Sequence, residues 1–402
     1  MTVSTREIPT SDLDLFTDAA RLDPYPLYER LRALGPVVYL SKHDVYAIPR
    51  YAEACEVLDD WGRYSSARGV MMNPQLNEQL AERVMLCTDP PDHTAIRALF
   101  GRPMRAEELR NLRPRLEQEA ESIVERLTGQ ESFDAVTDLA EHLPMTVVST
   151  LVGLGEHGRQ HMRRWAGATW EAQGAPNART EAAEPVVEEF ISFAMTEAVP
   201  GKLEPDGWAA QLYTAADNGE IRHDQCPFFI LDYVTPSLDT TIHGITNAVR
   251  LFAEHPDQWD LVRHNPGLIS HALNETLRLE SPVQQFSRVV TETHELGGVP
   301  LEAGSRVLVL FGSANRDERK YPDPKRFDVT RRPSDHLAFG RGEHACVGMP
   351  LARLEMNALL RALSKRVARF DIIDSTPLLS NALNGLERLE VSVRLDDSVT
   401  TE

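Results

Sequence analysis

The chain is short of positive charge and of cysteine. Lysine and arginine number 42 against 61 aspartates and glutamates, a formal net charge of −19 over 402 residues. That balance disfavours general nucleic-acid binding and anionic membrane surfaces, both of which select basic faces. The four cysteines, Cys55, Cys87, Cys226 and Cys346, are scattered without a CxxC or paired spacing. This speaks against a disulfide framework and fits a reducing compartment. There is no run of about 18 apolar residues, so no transmembrane helix is expected. No basic segment followed by an apolar run opens the chain, so no secretory signal is expected. The expectation is a cytoplasmic protein, with about residues 1–20 as a flexible polar tail. Linkers rich in Pro, Gly and Ser, repeats and low-complexity blocks are also missing, so residues 1–402 read as one domain.

What is present is an apolar content of 42%, ample for a large core. Tyr25 to Arg32 begins a short helix that stops before Gly35-Pro36. Val37–Leu40 and Val45–Pro49 read as a hairpin, and Tyr51–Trp61 as a returning helix. Residues from about Ala106 to Val199 are strongly helical. Pro227–Glu254 reads as one long apolar helix, Leu268–Leu279 as another, Val307–Phe311 as a buried strand and Leu389–Leu395 as a late strand. The fold class is mainly α with a small β part.

One segment concentrates the chemistry: Phe339-Gly340-Arg341-Gly342-Glu343-His344-Ala345-Cys346-Val347-Gly348. It offers a single cysteine in a glycine-rich turn. The glycines let the backbone turn tightly and approach a flat macrocycle. Met349–Val367 then reads as a helix, so Cys346 sits at a helix N-terminus, where free N–H groups favour a sulfur anion. A lone cysteine is ordinarily a core residue. The glycine spacing, His344 and the following helix favour an axial thiolate for a haem iron instead. The decapeptide resembles the haem-binding signature of the cytochrome P450 family.

Other segments align with that resemblance. Glu275-Thr276-Leu277-Arg278 puts an acid and a base on one helix face. Followed by Pro322 to Arg331, it resembles the family's structural triad, here Glu275, Arg278 and Arg331. Pro236 should kink the long helix, with Asp239 and Thr240 just past the kink. An acid beside a hydroxyl can deliver protons to dioxygen where water is otherwise excluded. The pair resembles the family's oxygen-activation segment, although Pro236-Ser237 replaces the usual Ala-Gly. His243, one turn on, either extends that relay or is a packed histidine. His93 and Arg97 share a helix face and, with Arg288, His336 and His344, match the family's contacts to haem b.

The chain further resembles bacterial family members that O-demethylate para-methoxybenzoate. By that resemblance Arg68, Trp170, Gln173, Asp232, Thr235, Val283 and Phe286 line a substrate pocket. Those enzymes carry Arg-Ser where this chain has Leu231-Asp232. Either Asp232 accepts a hydrogen bond from a phenolic or neutral polar head group, or it faces away or pairs with Arg68. The resemblance implies a haem-thiolate monooxygenase of a small para-substituted aromatic, acid or phenol. It would use O2 and electrons from a ferredoxin with its NAD(P)H-dependent reductase, docked near Arg102, Arg105 and Arg341. The alternatives are a terpenoid or other natural-product monooxygenase, or a peroxide-driven haem oxidant.

Overall fold

The computed structural model describes residues 8–396. Helices dominate, and three small sheets flank them. The largest sheet has the order β1-β2-β3-β9-β6-β4. Its strands are β1 (Thr10–Ser11), β2 (Val38–Leu40), β3 (Val45–Ile48), β4 (Tyr64–Ser65), β6 (Gln285–Val290) and β9 (Arg306–Leu310). β5 (Phe133–Asp134), β10 (Val367–Pro377) and β11 (Leu386–Leu395) form a second sheet, and β7 (His294–Leu296) and β8 (Val299–Leu301) a third. The β2–β3 hairpin forms in antiparallel register, Val38 opposite Ala47 and Leu40 opposite Val45. No helix of the described residues is long and apolar enough to cross a membrane.

Two expectations are corrected. Within the expected N-terminal tail, β1 pairs with β2, Leu15 and Phe16 are buried, and Thr17 caps the helix Asp18–Leu22. The buried Arg21 then donates to the Ser380 carbonyl at 2.8 Å. This segment carries enough apolar side chains and one buried cation to be held against the body; residues 1–7 lie outside the described residues. The long helix expected over Pro227–Glu254 is two helices, Cys226–Ser237 and Asp239–Glu254, parted at Leu238. Pro236 brings no N–H and crowds the preceding turn, which weakens the ladder, and the interruption falls two residues later.

The helix Met349–Arg366 packs against Ala106–Thr128 and Ile269–Leu279, fixing the cysteine loop at the centre. The buried core runs continuously from Val147 and Trp165 through Phe229, Ile245 and Leu273 to Leu359 and Leu389.

Candidate active site

The cysteine loop is shaped by two glycines with positive φ. Gly340 has φ 66° and Gly342 φ 69°, a region that costs other residues strain. A Cβ on Gly342 would also stand 2.2 Å from the Leu58 carbonyl oxygen. The loop closes through the Cys346 N–H, which donates to the Phe339 carbonyl at 2.8 Å. Burial raises the Cys346 thiol above its ordinary range, opposed by the N–H groups of Gly348 and Met349 and by Arg97. Cys346, Thr240 and Thr241 line one cavity.

Around the cysteine the cavity is lined by His93, Arg97, Arg288 and His344. His93 and Arg97 come from the helix Asp92–Phe100, Arg288 from β6. Both ring nitrogens of His93 and Nε2 of His344 are buried without a partner. The two rings stand 4.2 Å apart. Arg97 donates to the Ala345 carbonyl at 2.5 Å and Arg288 to the Ser287 carbonyl at 2.8 Å. Burial pushes Arg288 down to about 10 and, with Arg288 and neighbouring cations, His344 down to about 2. Buried donors with no carboxylate partner call for an anion. The propionates of a haem supply that charge, so the residues present fit the group.

Thr240 Oγ1 donates to the Pro236 carbonyl at 2.8 Å, across the helix break. Asp239 does not line the cavity. It is buried, with Arg163 Nε 3.9 Å away and Glu141 paired to that same arginine. Burial lifts its carboxyl to about 6, against the pull of Arg163. His243 is packed rather than cavity-lining: a Cβ on Gly385 would lie 2.3 Å from its Nδ1, and burial lowers it to about 4.

The cavity is also lined by Trp170, Gln173, Asp232, Thr235, Val283 and Phe286. Trp170 lies 6.4 Å from Phe286 and donates through Nε1 to the Thr235 carbonyl at 3.0 Å. Asp232 Oδ2 accepts from the Met85 N–H at 2.6 Å, and burial lifts its carboxyl to about 7. Arg68 is a correction. It is exposed and lines a separate surface hollow with His43 and Glu78, outside the cavity that holds Cys346; its backbone carbonyl accepts from Arg306. Asp232 therefore does not pair with Arg68. His336 is a second correction: it is buried outside the cavity lining, with Ala338 N–H on its Nδ1 and Asn274 3.4 Å from Nε2. Those bonds make it a cap for the turn Leu337–Phe339. Arg331 joins Glu275 at 3.0 Å and Arg278 joins it at 2.7 Å, beneath the loop.

Comparison with known proteins decides the family. A model described as Cytochrome P450 matches residues 208–372. "Cytochrome p450 CYP199A2" of Rhodopseudomonas palustris is 36% identical over 392 residues, covering 96% of this chain and 95% of that protein. The chain is a cytochrome P450. A beta-dihydromenaquinone-9 omega-hydroxylase of Mycobacterium tuberculosis is 33% identical, covering 95% of this chain and 78% of its own. Among solved structures, cytochrome P450 CREJ in complex with (4-ethylphenyl) dihydrogen phosphate superposes with a TM-score of 0.82 at 25% identity, covering 93% of this chain and 98% of that one.

This cytochrome P450 is accordingly a monooxygenase that binds haem b. Haem with a thiolate ligand supplies activation of dioxygen for insertion of one oxygen atom into a C–H bond. Sequence reasoning missed Met85, Arg163 and Glu355. Glu355 lines the cavity from the cysteine helix, and burial lifts it to about 8. An acid inside the apolar stripe of Leu351, Leu354 and Leu359 was its only signal. The expected basic patch is partly neutralised: Arg102 pairs with Glu220 and Arg341 with Asp59, while Arg105 stays exposed.

Proposed function

We propose that this P450 hydroxylates or O-demethylates a small para-substituted aromatic, with Cys346 as the iron ligand and a ferredoxin as the electron donor. The observation that carries this reading is one cavity lined by Cys346, Thr240, Trp170 and Phe286 together. An apolar, aromatic wall with few polar groups suits a small ring. The complex of cytochrome P450 CREJ with a 4-ethylphenyl ester lends support from a similar fold.

Each residue has a task in this reading. His93, Arg97, Arg288 and His344 hold the propionates. Trp170 and Phe286 orient the ring, and the apolar lining excludes water. The Thr240 hydroxyl, relieved of the Pro236 carbonyl, donates a hydrogen bond in the cavity. Asp239 holds the proton that replenishes it, with Arg163 setting its orientation. Hydroxylation of an O-methyl group gives a hemiacetal that releases formaldehyde and a phenol.

The test is turnover of para-methoxyphenol and para-methoxybenzoate by the holoenzyme with a ferredoxin, its reductase and NADH. Formaldehyde release coupled to NADH consumption supports the reading. Product formed with hydrogen peroxide alone, and none with NADH, favours the peroxide-driven oxidant.

A further inference from the structure

Polar groups without a protein partner gather near Asp232 on one stretch of the cavity lining. Gln173 Oε1 and Thr235 Oγ1 are buried there without a hydrogen-bond partner. Both residues are less than a tenth exposed. The Trp170 N–H is already spent on the Thr235 carbonyl. Asp232 adds a carboxylate with one oxygen taken by the Met85 N–H. The arginines lining the cavity, Arg97, Arg288 and Arg341, all belong to the cysteine side or its loop. No lysine lines it, and Asp232 has no ion-pair partner among the described residues. A substrate carboxylate beside Asp232 would meet another acid and no counter-ion, with only the Thr235 hydroxyl and the Gln173 amide to donate to it, which is costly in a low-dielectric site.

Asp232 and Thr235 stand one turn apart on the same helix, and Thr240 lies eight residues beyond Asp232. Asp232 and Thr240 lie on either side of the helix break at Leu238, and both line the cavity that holds Cys346. A molecule with a polar head beside Asp232 and its reacting group toward Cys346 suits that arrangement. Resting on the aromatic-substrate reading above, we infer that Asp232 is a specificity-determining residue. It selects a para-substituted ring whose head group donates a hydrogen bond, a phenol, and rejects the corresponding carboxylate. Gln173 and Thr235 can each accept from or donate to the ligand, so the discrimination rests on Asp232.

The experiment is a titration of the ferric holoenzyme with para-methoxyphenol and para-methoxybenzoate, following the substrate-induced Soret shift. Wild type, Asp232→Asn and Asp232→Leu are compared. Asparagine keeps an acceptor for the Met85 N–H, so it guards against a folding defect in the leucine variant. The wild type should bind the phenol roughly tenfold or more tightly than the acid, the scale of a hydrogen bond to a charged group. Asp232→Asn should weaken the phenol and strengthen the acid, narrowing that ratio; Asp232→Leu should remove the preference. An acid bound as tightly as the phenol by the wild type overturns the inference and leaves the aromatic reading standing. So does a ratio unchanged in Asp232→Asn. Silence from both ligands, with imidazole still binding the iron, overturns the aromatic reading and the inference together.

Discussion

Glu275 and Arg278 meet inside one turn of the helix Ile269–Leu279 with no exposure to solvent. Arg278 Nε lies 2.7 Å from Oε2 of Glu275, and Nη2 lies 2.9 Å from Oε1. The guanidinium also reaches the carbonyls of Asn315 and Pro324 at 2.8 and 2.9 Å. Arg331 takes the same carboxylate at 3.0 Å. The helix is thereby tied to the segment that enters the cysteine loop. Breaking a buried pair leaves an uncompensated charge and costs about 3–5 kcal/mol. Glu275→Ala should lose that much stability in denaturant unfolding, and most of the haem with it.

Haem retention separately tests the donor set. Arg97 and Arg288 have no carboxylate partner among the described residues, so each is free for a propionate. A hydrogen bond to a charged group contributes about 1.5–3 kcal/mol. Arg97→Leu should therefore weaken haem binding roughly tenfold or more. The ratio of Soret to protein absorbance after transfer to apomyoglobin measures it.

Proton delivery depends on Asp239 in the proposed mechanism. General acid–base catalysis contributes about 10²–10⁴-fold. Asp239→Asn should cut the rate of product formation by about a hundredfold and raise the solvent isotope effect. Substrate affinity, read from the Soret shift, should not change, because Asp239 does not line the cavity.

Asp232 makes stability depend on pH in the ligand-free protein. Burial lifts its carboxyl from 3.8 to about 7. The folded state then holds a proton that the unfolded state has lost, so stability falls as pH rises from about 4 to 7. Asp232→Asn removes that loss. Its Tm should exceed the wild type's at pH 8, by the equivalent of about 4 kcal/mol, and match it near pH 4. Thermal melts at the two pH values check this.

Much of the site was legible because its chemistry is local. Cys346, its glycines and the following helix lie within one short run, and Glu275 and Arg278 share a turn. The parts that were not legible depend on contacts between distant segments. The Met85 N–H reaches Asp232 across 147 positions, and nothing near either residue announces it. Arg68 lies in a surface hollow with His43 and Arg306, a placement set by distant segments meeting there. His336 looks like a cofactor contact by its position before the loop, yet it is held by Ala338 and Asn274. Pro236 announced a disruption of the long helix but not that Leu238 would part it.

The central claim is that Cys346, as a thiolate, holds the iron. The most direct measurement is the ferrous carbon monoxide spectrum of wild type and Cys346→Ser at matched haem content. The account predicts a strongly red-shifted Soret band in the wild type, the mark of a thiolate ligand, and its loss in Cys346→Ser. A red-shifted band that survives in the serine variant would contradict it.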